Sequence, residues 1–290
     1  MIADITNIII NGLITGGVYA LLAVGFSLIF GAARIINLAY TAFYMLAAYL
    51  IFTFASLLGL NLLLSIVLSI AAVTIIGVLA YQLVIDRVRG HETTALIATL
   101  ALAIIIQEVM QLAFGTDATP RVWLVSGYTE ILGIKVLYQR LLAFGAAAFI
   151  LLGIWALLMK TRLGIAIRST AQDREVANLM GINVARTGMI TMAISVALAA
   201  IAGAVVAPAA VPYMWTQPLV TVLAIVVLGG LGSVKGSFVG AFILGFAEAS
   251  LVVSYSEGAF LKGAVALTVM LIVILIRPEG LFGVSFEEER

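Results

Sequence analysis

Residues 5–33 and 35–85 carry no charged side chain at all, and this constrains the chain more than any other feature. About 20 consecutive apolar residues suffice to cross a bilayer core of about 30 Å, so the first stretch holds one membrane helix and the second holds two. The turn Leu58-Gly59-Leu60-Asn61 divides the second stretch into candidate spans at 37–57 and 61–85. Further apolar intervals lie at 94–114, 141–159, 187–207, 219–231, 237–253 and 261–276. A composition of 64% hydrophobic and 10% charged residues agrees with this reading, which is that of an all-α integral membrane protein. The expected architecture is a polytopic bundle of eight or nine transmembrane helices. The count turns on residues 219–231, which make only about 20 Å of helix and suit a re-entrant half-helix as well as a crossing.

Positive residues set the orientation, because cytoplasmic loops retain Lys and Arg. If residues 160–186 are cytoplasmic and every interval crosses, then Arg34, Arg87, Arg89, Lys160, Arg162, Arg168, Arg174, Arg186, Lys235, Arg277 and Arg290 fall inside. Only Arg121, Lys135, Arg140 and Lys262 fall outside. The N-terminus is then external and the protein sits multi-pass in the cell (inner) membrane. Asp4, with no Lys or Arg before Arg34, gives the wrong charge for a secretory leader, so the first helix is read as retained. With no linker or low-complexity tract, residues 1–290 are expected to form one transmembrane domain with a cytoplasmic loop at about 160–186 and an external one at about 115–140.

Composition also excludes several functions. A net charge of +1 offers nucleic acid no electrostatic footprint. Without cysteine, and with His91 as the one histidine, little is left from which to build a nucleophile–base pair, and a lone histidine is no metal site. No catalytic or metal-ligating residues are therefore assigned.

Glycines Gly229, Gly230, Gly232 and Gly236 crowd around Ser233, too densely for one continuous helix, since each glycine costs about 1 kcal/mol against alanine. A broken segment that exposes backbone to a cavity is one reading, and close helix packing is the other. Glu108 and Glu248 fall inside spans, where ionisable groups are functional candidates. Thr15, Tyr19, Asn37 and Gln107 offer hydrogen bonds to a passing zwitterion or to neighbouring helices. The external loop mixes Trp123 and Tyr128 with Asp117, Arg121, Glu130 and Lys135, a composition suited to a recognition surface or to membrane-interface anchoring.

The polar stretch from Leu163 to Asn183 cannot cross a membrane. Its middle predicts a short helix, capped by Ser169 or Thr170, with Asp173 three residues on, and stopped at Gly181. Val176, Leu179 and Met180 give it an apolar side. Such a helix either lies on lipid or inserts into a groove on a cytoplasmic partner.

These residues resemble a known family. Leu163-Gly164 through Arg168, followed by Ala171-Gln172-Asp173-Arg174-Glu175, Ala177 and Leu179-Met180-Gly181-Ile182-Asn183, is similar to the cytoplasmic coupling loop of branched-chain amino acid ABC transporter permeases, LivH-type subunits in particular. The resemblance continues in Gly12-Leu13, Gly16, Tyr19-Ala20-Leu21 and Phe30-Gly31, then in Ile36-Asn37-Leu38-Ala39. It returns in Val227 to Ser233 with Gly236, Gly240, Gly245 and Glu248, and in Arg277-Pro278 with Gly280-Leu281-Phe282-Gly283. It implies a permease that binds no cofactor itself, since no lysine sits in a phosphate loop and ATP with Mg would lie on partner subunits. The implied partners are two ATPase subunits, a second permease forming a heterodimer, an extracytoplasmic binding protein and membrane lipid. Gly164, Arg168, Ala171, Asp173, Arg174, Glu175, Ala177, Met180 and Gly181 become coupling residues, and Arg168, Asp173, Arg174 and Glu175 the expected contact. The family commonly follows Asn37 with a histidine and an acidic residue, whereas Tyr40 and Thr41 stand near here. The substrate class therefore extends from branched-chain amino acids to urea or short amides. An ion-coupled secondary transporter using Glu108 and Glu248 is the alternative from another class.

Overall fold

The computed structural model describes residues 2–88, 90–115, 125, 127–206, 211–255, 258, 260–277 and 279–283. Seven helices in it are long and apolar enough to cross a membrane. They are α1 (Ile2–Ala33), α2 (Tyr40–Phe52) with its π-helical extension Thr53–Leu57, and α3 (Leu62–Ala80) running on through π-helical Tyr81–Ile85 into the single turn α4 (Asp86–Val88). The others are α5 (Glu92–Phe114), α6 (Tyr138–Lys160), α9 (Val184–Val206) and α11 (Val234–Ser254). Two shorter apolar helices, α10 (Thr216–Gly229) and α12 (Lys262–Ile276), complete the set. At 1.5 Å per residue these two are only about 21 and 22 Å long. The brevity of residues 219–231 was legible in the sequence, while that of α12 was not.

The turn after α2 falls where the sequence placed it. Gly59 takes a left-handed conformation (φ 65°), and the Asn61 side chain accepts from Leu63 N–H at 3.0 Å to cap α3. One element departs from an all-helical chain. Tyr128–Ile131 (β1) and Ile134–Leu137 (β2) form an antiparallel hairpin in the loop ahead of α6. It turns on Leu132 and Gly133, both at positive φ, as a two-residue hairpin turn requires. Glu130 pairs across it with Lys135, whose ammonium stands 5.1 Å from the Tyr128 ring centre. Asp117, Arg121 and Trp123 lie outside the described residues.

Helix α1 is the axis of the bundle. It packs along most of α11 and also meets α6, α9 and α10, and the α1 span is the most deeply covered of the seven. Small residues let these helices approach closely. A Cβ at Gly12 or Gly16 would strike the rings of Phe246 or Phe242, and Gly245 of α11 lies against the Gly16 backbone. At the other end of α1, Gly31 meets Gly232. Helices α1 and α11 are therefore antiparallel, and the α10–α11 turn lies beside the end of α1.

Candidate functional site: the coupling end and the polar groups in the spans

The segment between α6 and α9 is two helices rather than the single one predicted. Helix α7 (Arg162–Gln172) is capped by Thr161, whose hydroxyl accepts from Gly164 N–H at 3.0 Å. Gly164 is buried in the α6–α7 elbow, where a Cβ would collide with the Leu157 and Leu158 carbonyls. The chain then becomes extended at Asp173 (φ −148°, ψ 120°), and α8 (Arg174–Leu179) begins. Asp173 is itself the cap of α8, accepting from Glu175 N–H at 2.8 Å and Val176 N–H at 3.0 Å. Ser169 and Thr170, expected to cap, instead lie in the last turn of α7. Helix α8 stops at Gly181 (φ 85°), where Gly181 N–H reaches Asn178 O and Ile182 N–H reaches Ala177 O, both at 3.0 Å. This is the closing pattern that a left-handed glycine permits.

The arginines on either side of this segment hold it to α1. Arg34 Nη2 donates to Ala171 O at 3.0 Å, and Arg174 Nη1 donates to Ala33 O at 3.2 Å. Each guanidinium thus satisfies a carbonyl near the C-terminal end of the other helix system, where helices leave acceptors open. Arg34 ends α1 in a left-handed conformation (φ 55°), unusual for a residue with a side chain. Burial pulls the pKa of Arg174 down, the Asp86 carboxylate opposes that shift, and the nearby Arg34 charge adds to it. Arg174 therefore faces α1, and only Arg168, Asp173 and Glu175 of the four expected contact residues are exposed. Ala177 is buried beneath them, while Val176, Leu179 (85% exposed) and Met180 form an apolar knob. Beside it a cleft of about 570 Å³ is lined by Arg174, Glu175, Asn178, Gly181 and the start of α9.

The glycine-rich segment is a tight turn at this same end. Gly230 and Gly232 hold positive φ (97° and 81°), and the Ser233 hydroxyl accepts from Gly236 N–H at 3.1 Å to cap α11. Gly229 and Gly236 touch backbone to backbone, with no room for a Cβ on either. Residues 279–283 fold under the turn: Leu281 N–H donates to Leu228 O at 2.9 Å and Phe282 N–H to Gly229 O at 3.0 Å, closing the end of α10. In this arrangement the glycines serve close packing.

Within the spans, Tyr19 Oη donates to Glu248 Oε2 at 2.7 Å, tying α1 to α11. Glu248 is 1% exposed, and its Oε1 has no hydrogen-bond partner among the described residues. Thr15 lies half-buried one turn before Tyr19. Asn37 is committed to the backbone, its Oδ1 accepting from Ala39 N–H at 3.1 Å at the start of α2. Tyr40 and Thr41 are fully buried, the Tyr40 ring edge-on to Phe26 at 5.7 Å and its hydroxyl over Gly25, so both belong to the core. Gln107 Oε1 accepts from Trp215 Nε1 at 2.8 Å, and Gln107 Nε2 lies 3.3 Å from Glu108 Oε1. Sequence inspection did not single out Trp215 or Arg34, although an aromatic just ahead of a short apolar helix and a lone cation between two spans were visible.

Among the described residues, nine apolar helices, the central α1 one of them, with charged side chains concentrated on the segments between them, define a multi-pass membrane permease. Residues 8–276 match the family described as "Branched-chain amino acid transport system / permease component", and the chain belongs to that family. Curated relatives include the high-affinity branched-chain amino acid transport system permease protein BraD of Pseudomonas aeruginosa, 30% identical over 95% of this chain and 94% of that protein. LivH of Escherichia coli is 28% identical over 94% of each, and a probable LivH of Methanocaldococcus jannaschii is 26% identical over 96% of this chain and 92% of that protein. The solved structure titled PsaBC from Streptococcus pneumoniae in complex with Fab shares the fold, with a TM-score of 0.55 at 19% identity over 97% of this chain and 98% of that one.

Proposed function

We propose that this chain is the membrane-spanning subunit of an ATP-driven, binding-protein-dependent importer of branched-chain amino acids, working by alternating access. Two separate ATPase subunits carry ATP and Mg, a second permease pairs with this one in a heterodimer, and an extracytoplasmic binding protein delivers the substrate. The observation that carries the proposal is the α7–α8 segment: a short capped helix, bonded to the end of the central helix by Arg34 and Arg174, that offers exposed Val176, Leu179 and Met180 beside exposed Asp173 and Glu175. An apolar knob ringed by charge fits a groove on a soluble partner, and its attachment to α1 passes the partner's motion into the bundle. The matched relatives are named for branched-chain amino acid transport, which supports that substrate class over urea and short amides. Tyr40 and Thr41 are buried here, and neither hydroxyl has a hydrogen-bond partner among the described residues.

Purification from the native membrane in mild detergent, followed by mass spectrometry of co-purifying chains, tests the proposal. Two nucleotide-binding subunits and a second permease are expected. A homomer that survives cross-linking before extraction and carries no ATPase would replace the importer with a secondary carrier.

A further inference from the structure

Glu108 stands where a membrane helix rarely carries a charge. The exposed face of α5 is formed by Ile97, Ile104, Ile105, Val109 and Leu112, and Glu108 is exposed among them. It lies six residues before Phe114, about 9 Å along the helix from the end of its span. A carboxylate at that depth faces a bundle interior or a water-filled cavity, because lipid offers it no partner.

A second observation reaches the same depth by a different route. Helix α10 rises only about 21 Å from Gly229 at the coupling end, so in a core of about 30 Å its first residue stops about 9 Å short of the far surface. The turns of residues 211–215 therefore run as non-helical backbone inside the membrane, an arrangement tolerated only against protein or water. The hydrogen bond from Trp215 to Gln107 sets the two features at one level. Beside Trp215, the side chains of Tyr213, Thr216 and Gln217 are exposed.

We infer that Glu108, Tyr213, Thr216 and Gln217 line a water-filled vestibule in the half of the membrane opposite the coupling segment. The inference rests on the proposed importer, whose second permease supplies the far wall. With Trp215 occupying the carbonyl of Gln107 and the Gln107 amide turned toward Glu108, the carboxylate presents acceptor capacity to the vestibule. Its chemistry suits the ammonium group of a zwitterionic amino acid. Neutral amides gain nothing comparable from it.

The chain contains no cysteine, so single-cysteine variants report one position each without further engineering. Glu108→Cys and Gln217→Cys would be compared with Val67→Cys in cells expressing the complete transporter. Val67 is 62% exposed and five residues from the start of α3, at matched depth on a purely apolar helix face. The probe is a negatively charged, membrane-impermeant methanethiosulfonate applied from outside. Cysteines 108 and 217 should react at least about tenfold faster than cysteine 67, because a thiol in hydrocarbon does not ionise. Equal rates at 67 and 217 overturn the inference, whether both are fast, which places them at headgroup depth, or both are silent, which places them in lipid. Gln217→Cys decides the outcome if Glu108→Cys fails to accumulate. Labelling requires neither ATP hydrolysis nor uptake, so its failure is distinct from failure to co-purify an ATPase.

Discussion

Tyr19 and Glu248, 229 residues apart in sequence, meet at 2.7 Å between the two most intimately packed helices of the bundle. Removing one partner of a buried hydrogen bond costs more than removing both, because the survivor keeps its desolvation penalty. Tyr19→Phe should destabilise the protein by about 1–3 kcal/mol, whereas Tyr19→Phe with Glu248→Leu should be milder than the sum of the single changes. Thermal unfolding of the four proteins in one detergent measures this. Strict additivity would mean that the bond contributes nothing.

Asp173 caps α8 through its side-chain oxygen, a role that an asparagine oxygen also fills. Asp173→Asn should transport nearly as well as the parent, while Asp173→Ala should lose about 0.5–2 kcal/mol of local helix stability and a corresponding part of its uptake. If Asn and Ala are equally impaired, the carboxylate acts through its charge on a partner instead.

Leu179, 85% exposed at the tip of the knob, contacts little within this chain. Leu179→Asp should leave the amount of permease in the membrane unchanged and weaken ATPase retention about tenfold or more, as expected for an apolar anchor at the centre of an interface. Quantitative co-purification reads both quantities in one experiment. Undiminished retention would move the docking surface elsewhere.

Gly236 touches Gly229 backbone to backbone. Gly236→Ala should cost about 1–3 kcal/mol by forcing the α10–α11 turn apart, while Gly263→Ala, at a position with open space around its Cβ, should be nearly silent. Membrane abundance and melting temperature compare them. Matching behaviour would show that the contact at Gly229 does not constrain the turn.

The helices were legible because hydrocarbon demands long charge-free runs, and this signal is local. The hairpin at Tyr128–Leu137 was missed because Leu132-Gly133 is a weak turn signal inside a loop already explained by its charges. Asp173 and Arg174 were visible as important, yet their roles depend on direction: a capping aspartate and a docking aspartate share one letter, and Arg174 turns toward Ala33 only because α1 ends there. The pairing of Gln107 with Trp215 spans 108 residues and has no local trace.

Helix α1, at 32 residues, is a rod of about 48 Å, with Tyr19 close to its midpoint and the two arginine bonds at one tip. A pull on α7 and α8 that tilts it by about 5° would sweep each tip about 2 Å in opposite senses while leaving the Tyr19–Glu248 bond nearly stationary. The Tyr19–Glu248 tie between α1 and α11 therefore lies near the midpoint of the rod, where such a tilt would strain it least.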